Sequence, residues 1–343
     1  MKKVRWIIAT LCLILIIILA NINTDMKREP ETTVYNSDYD NDINNINHNE
    51  SEEKVPEAEN YYEEKIIYEV SEESIKRYIE EITQYIRNLN SEGKVISHNM
   101  IVKELESFDY TVEVREFSVY ENNTQEYGRA QIDNNYYDFE KDNGNNIIGN
   151  GYNIIAYTNK KDSNKILYIT AHYDTTSNTE GVIDNATGVA AVLELAKVLK
   201  GYEGSINVVF IFFDAEEKIM QGSREFVSNL SDKEKENIIG CINIDMIGQK
   251  ESGSIAIHTF DGSENTLTEM WKNVCDLDTR IKMGGSTDEL SFYYAGIPAF
   301  TFANEIPNFK ILTESDRESQ LDRVDYESIT ELVRQIKYFI VEE

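Results

Sequence analysis

The sequence predicts an α/β fold, a three-layer sandwich whose mainly parallel, mixed central sheet is covered by helices on both faces. Two observations predict it. Apolar runs of strand length (GYNIIAYT, KILYITA, INVVFIFF, GCINIDMI and PAFTF) are separated in several places by segments with apolar residues at helical spacing. The runs are almost continuously apolar, as strands are when both faces of a parallel sheet are covered. In such sheets ligands bind beyond the carboxyl ends of the strands, so the residues just after each run are the ones to inspect for function.

The chain begins MKKVRWIIATLCLILIIILANIN. Lys2, Lys3 and Arg5 precede an uncharged apolar run from Trp6 to Ile22, and about 17 residues is the short end of what spans a bilayer. No small-x-small cleavage site follows the run, and Cys12 lacks the small residue expected before a lipidated cysteine. Residues 1–22 therefore read as a membrane anchor with the positive end inside, a cleaved signal segment being the alternative. Either way the rest of the chain is expected outside, at the cell membrane or secreted. Residues 23–64 are rich in Asn, Asp and Glu without apolar periodicity, and read as a disordered acidic tether. Residues 65–343 form the folded domain.

Within it, SEESIKRYIEEITQYIRNL carries Ile75, Tyr78, Ile79, Ile82 and Ile86 at helical spacing, which predicts a helix over 71–89 with His98 opening another. TVEVREFSV alternates and reads as a strand. The five apolar runs follow, with helices expected at 187–200, 221–230, 263–275 and 325–341. Bulk properties exclude some partners. A formal net charge of −29 repels phosphate backbones, so nucleic acid is not a partner. Three cysteines, Cys12, Cys241 and Cys275, make no disulfide framework.

His172 and Asp174 stand at the end of LYITA. Asp184 and Asn185 come directly before a helical segment. Asp214, Glu216 and Glu217 follow INVVFIFF, and Asp245 follows CINI. Taken singly, each has an ordinary explanation: a helix N-cap for Asp184 or Asn185, first-turn acids for Glu216 and Glu217, a hydrogen-bonded core histidine for His172. Together they do not, because carboxylates converging on one sheet edge repel unless cations neutralise them. One imidazole with several carboxylates suits zinc or a similar divalent ion. The Glu216–Glu217 pair allows one acid to bind metal while the other moves protons, the arrangement that hydrolyses amides.

The series AHYD, GVIDNATG, DAEE, NIDMIG and STDELSFYYAGIPAF resembles the zinc-dependent exopeptidase superfamily, above all its di-zinc aminopeptidases, over roughly residues 75–340. Relatives in that superfamily include glutamate carboxypeptidases, glutaminyl cyclases and the protease-like domain of transferrin receptor. The resemblance implies a metallo-exopeptidase acting on a peptide or small aminoacyl substrate. It implies that His172 and Asp245 hold one zinc, that Asp184 bridges to a second bound also by Glu217, that Asp174 orients the site, and that Glu216 is the general base. It also implies a turn around Asp184 built with Gly181, Asn185, Thr187 and Gly188.

The resemblance breaks at the family's final histidine ligand. In ILTESDRESQLD, Thr313 and Asp316 match the family's His-Thr-x-x-Asp stretch, but Leu312 stands in the histidine's place. The family's Ser-Asp-His is here Thr287, Asp288 and Glu289. His48 lies in the tether, and His258 lies in a strand-like segment too early to be the missing ligand. One zinc site is thus complete, and the second needs a substitute such as Glu314, Asp316 or Glu289. The broken site also weighs against a cyclase, which in this family uses the metal held by the final histidine. A catalytically impaired ectodomain kept for binding is the rival expectation.

Overall fold

The computed structural model describes residues 69–121, 146–157, 165–275, 280–284, 287–305, 316 and 318–343. The expected anchor and tether, Leu312 and Glu314 lie outside the described residues. Among the described residues no helix is long and apolar enough to cross a membrane.

Two helices open the domain, α1 (Glu72–Ile82) and α2 (Glu92–Ser107). The strands are β1 (Thr111–Tyr120), β2 (Ile147–Tyr157), β3 (Ile166–His172), β4 (Asn207–Phe213), β5 (Ile238–Ile244), β6 (Ile255–Thr259), β7 (Ile281–Met283) and β8 (Ala299–Asn304). Between and after them come α3 (Thr187–Val198), α4 (Gln221–Ser228), the short α5 (Asp232–Lys235), α6 (Thr266–Val274), α7 (Glu289–Tyr294) and α8 (Tyr326–Glu342). The sheet order is β1-β2-β4-β3-β5-β8-β6-β7. Its centre, β4-β3-β5-β8, is parallel, while β1, β2 and the β8–β6 pair introduce antiparallel neighbours. The expected mixed, mainly parallel sheet is what the chain forms.

Side chains of the central strands alternate between two cores. Leu167, Ile169, Ala171, Phe210 and Phe212 pack beneath α1, α3 and α8 on one face. Tyr168, Val209, Ile211 and Phe213 pack beneath α4 and α7 on the other, with Phe226 and Phe292 among them. Burial on both faces explains why these strands read as continuous apolar runs. Cys241 and Cys275 are both buried thiols.

The first helix is shorter than its periodicity suggests. It stops at Ile82, where Thr83 Oγ1 donates back to the Ile79 carbonyl, and the chain then turns inward. The Arg87 guanidinium bonds the carbonyls of Ile82 and Tyr85, which a continuing helix would have used for itself. His98 lies in the middle of α2 rather than at its start.

Candidate metal centre

Three neighbouring parallel strands deliver the site. β3 ends in His172, opposite Phe213 at the end of β4, and Asp245 follows β5 with its N–H bonded to Phe302 O at 3.0 Å. Asp184 comes from the loop before α3. His172, Asp184 and Asp245 are all buried and offer one ligand atom each within 4.8 Å of one another. His172 Nε2 is 3.0 Å from Asp184 Oδ1 and 3.4 Å from Asp245 Oδ1. Yet neither imidazole nitrogen, nor Asp245 Oδ1, has a hydrogen-bond partner. Donors held close but unbonded to one another fit a divalent ion between them: ligands about 2.0–2.1 Å from tetrahedral zinc lie about 3.3 Å apart. Zinc therefore fits this donor set.

Each contributing loop is fastened by a buried side chain to backbone. The Asp174 carboxylate accepts from Glu216 N at 3.0 Å and Glu217 N at 3.3 Å, so it fixes the turn that bears both acids. Asp316 does the same for the bridging loop, accepting from Ile183 N at 2.8 Å and Asp184 N at 3.0 Å, while its carbonyl receives Gly181 N and the Thr179 hydroxyl. Asn185, joined to Asp184 by a cis peptide bond, ties this loop to the next one. Its Nδ2 donates to Ile244 O at 2.9 Å and its Oδ1 accepts from Gly188 N at 3.0 Å and Met246 N at 3.3 Å. Thr287 Oγ1 donates to Asp245 Oδ2 at 2.6 Å, leaving the other oxygen directed at His172. Two glycines make the approach possible. A Cβ on Gly188 would lie 2.3 Å from Ile244 O, and one on Gly181, at φ 57°, would lie 2.1 Å from Asp184 O.

Of the residues singled out in the sequence, the structure brings His172, Asp184 and Asp245 together; the bond of Thr287 to Asp245 and the place of Arg87 were not anticipated, since their partners are remote in sequence. A hydroxyl beside a strand-end acid offers only a weak signal, and an arginine amid apolar residues in YIRNL a slightly better one. Asp316, expected as a substitute ligand, is instead occupied by two backbone N–H groups. Glu289 accepts from Thr301 Oγ1 at 2.8 Å through one oxygen, and its other oxygen is buried without a partner. Glu217 lies outside the three-residue cluster, and its Oε1 is buried and unpartnered. Asp174 Oδ1 stands 3.5 Å from His172 Nδ1, also without hydrogen-bond geometry.

His172, Glu216, Glu217, Asp288 and Asp316 all shift in one direction. Burial, then the charges of Asp184 and Asp174, push Glu217 up to about 9. Burial also lifts Glu216 well above the usual carboxylate range, with Glu217 and Asp288 adding to the rise. Burial raises Asp288 to about 7 and Asp316 to about 6. Burial opposes the charge on His172, but the carboxylates of Asp245, Asp174 and Asp184 outweigh it and hold the imidazole well above its ordinary value. Every one of these groups binds its proton more tightly folded than unfolded. Their stabilisation is complete below the unfolded pKa values and is lost as pH rises through the folded ones. Metal-free protein is therefore expected to melt at a higher temperature at pH 5.5 than at pH 8. Zinc, which needs deprotonated ligands, should stabilise more as pH rises. Differential scanning calorimetry at the two pH values, with and without zinc, checks both signs; a metal-free protein more stable at pH 8 contradicts the reading.

The model of "Peptidase family M28" matches residues 153–337, more than half of the chain and all of the strand-end acids. Aminopeptidase YwaD of Bacillus subtilis is 34% identical over 143 residues, covering 40% of this chain and 31% of that protein. Leupeptin-inactivating enzyme 1 of Streptomyces exfoliatus is 34% identical over 152 residues, 43% of this chain and 34% of the relative. The chain thus spans about a third of the length of these curated relatives. Among solved structures, an aminopeptidase from Aneurinibacillus sp. strain AM-1 superposes with a TM-score of 0.66 at 20% identity, covering 79% of this chain and 93% of that one. A glutaminyl cyclase from Bacteroides thetaiotaomicron gives 0.66 at 18%, covering 81% and 99%. At these identities the structural likeness carries the fold.

Proposed function

Because the chain belongs to peptidase family M28, we propose that it is a zinc-dependent aminopeptidase, hydrolysing the bond after a free amino-terminal residue. The observation that carries the proposal is the buried His172–Asp184–Asp245 cluster with unpartnered donor atoms. Matched relatives that bear the name aminopeptidase support the same reading. His172, Asp184 and Asp245 would hold the ion, with Glu217 at the edge of the site. A bound zinc would supply the charge that lets these acids ionise together, and would polarise a carbonyl and acidify water.

The chain's own residues do the rest. Glu216 takes the proton from the attacking water and returns it to the leaving amine. Asp174 holds the backbone from which Glu216 projects, and Thr287 keeps Asp245 turned toward His172. Of the substitutes for the missing histidine that lie among the described residues, Asp316 is held by two backbone N–H groups and Glu289 by Thr301 through one oxygen only, so His172, Asp184 and Asp245 form the firmer of the two sites. The N-terminal apolar run would tether the domain to the cell membrane, facing outward.

The test uses the full-length chain loaded with zinc and then dialysed, offered aminoacyl amides with free and with acetylated amino termini. Close to one zinc per chain, and cleavage of the free-amine series alone, is the expected result. Zinc bound without hydrolysis of any amide would favour the binding ectodomain, a reading that Leu312 alone supports. Failure to retain zinc would refute the site.

A further inference from the structure

Arg87 has no place in the chemistry described so far, yet it lies directly under the centre. It is fully buried, at 0% exposure. All five hydrogen bonds described for its guanidinium end on backbone carbonyls: Nε on Tyr173 O at 2.7 Å, Nη2 on Gly181 O at 3.2 Å, and Nη1 on Ile82, Tyr85 and Glu180. Its own N–H donates to Thr175 Oγ1 at 3.0 Å. Tyr173 is the residue between His172 and Asp174. Glu180 and Gly181 open the loop that ends in Asp184, and Gly181 O also receives Ala186 N at 3.0 Å. Burial pushes the guanidinium down to about 10, while Asp174, Asp316 and Asp184 act in the opposite sense. One cation therefore offsets part of the acid cluster and holds two ligand-bearing segments at a fixed separation.

We propose that Arg87 is a positioning residue for the metal centre, its planar fork setting the placement of the 172–174 segment against the 180–184 loop. The inference rests on the reading of His172 and Asp184 as zinc-holding residues. A fork with five donors suits carbonyls arriving from three segments; an ammonium, with three donors at a point, does not. Its loss would leave buried carbonyls unpaired and let His172 and Asp184 drift apart.

The experiment compares wild-type full-length chain with Arg87→Lys and Arg87→Gln, measuring zinc affinity by chelator competition and melting with and without zinc. Both variants are expected to bind zinc about 10–100-fold more weakly, as changes to groups that orient ligands do. The melting rise on adding zinc should shrink, and kcat should fall more than KM changes. A purely structural role would lower both melting temperatures equally at unchanged zinc affinity, and that overturns the proposal. So does wild-type affinity in Arg87→Lys with loss in Arg87→Gln, which would make charge rather than geometry the cause. If neither variant folds, Thr175→Val frees the Arg87 backbone while keeping the guanidinium. A tenfold loss of affinity there would support the proposal, and an affinity within about twofold of wild type would overturn it. Failure of the wild-type chain itself to bind zinc would condemn the functional reading instead.

Discussion

Glu216→Gln is expected to lower hydrolysis by about two to four orders of magnitude while zinc affinity stays at the wild-type value. The amide matches the carboxylate in size but cannot accept the proton of an attacking water. The turn itself should survive, because its anchor is the backbone N–H of Glu216 on Asp174, at 3.0 Å, and the substitution leaves that bond untouched. Stability should move the other way. Burial holds the Glu216 carboxyl well above its usual range, so a neutral group there removes a disfavoured charge, and the metal-free variant should melt later than wild type at pH 8. Single-turnover rates, zinc titration and calorimetry on one preparation separate these effects. Wild-type turnover in the variant would remove Glu216 from the role of base, and lost zinc would make it a ligand.

Lys94→Met is expected to cost about 3–5 kcal/mol of folding stability, the loss typical of a buried ion pair stripped of one partner. Lys94 Nζ lies 2.8 Å from Asp214 Oδ2 with both side chains almost wholly enclosed, and it also donates to Asn150 O at 3.0 Å. Asp214 accepts from Tyr152 N at 2.9 Å and Ala215 N at 2.8 Å, so it stands behind the turn that carries Glu216. Burial, then the charge of Asp174, raises Asp214 to about 6, against the pull of Lys94. Without the ammonium that value climbs further. A raised carboxyl gives stability that is present at low pH and lost as pH rises through the folded pKa, so the deficit should be smaller at pH 5 than at pH 8. Urea unfolding at both pH values tests this. An equal loss at both would point to packing rather than charge.

The fold was legible because its strands bury both faces, and that leaves a mark in composition: INVVFIFF could hardly lie anywhere but in the middle of a covered sheet. His172, Asp184 and Asp245 were legible for a related reason, being polar residues at or just beyond the ends of apolar runs. What the sequence hides is the alternative use of the same chemical group. Asp316 reads as a spare ligand because a carboxylate that will accept two backbone N–H groups looks no different from one that will hold a cation. The overlong first helix has the same origin. Ile86 continues the helical period, and the distant carbonyls of Tyr173, Glu180 and Gly181, reached together with the local ones of Ile82 and Tyr85, explain why Arg87 turns inward beyond the helix end. Partners that are backbone atoms carry no residue-type signature.

The fastenings of the centre also fix when it can come into being. Arg87 reaches Gly181 across 94 residues, Asn185 reaches Met246 across 61, and Asp316 reaches Asp184 across 132. Contacts so far apart along the chain are slow to close, because the loop-closure entropy must be met before they reward it. A growing polypeptide that has emerged only as far as β8 contains His172, Asp184, Asp245 and Glu216 but lacks the residue that clamps the bridging loop. Completion of the centre is thereby tied to completion of the domain, because the clamp on the bridging loop is supplied from beyond the last strand.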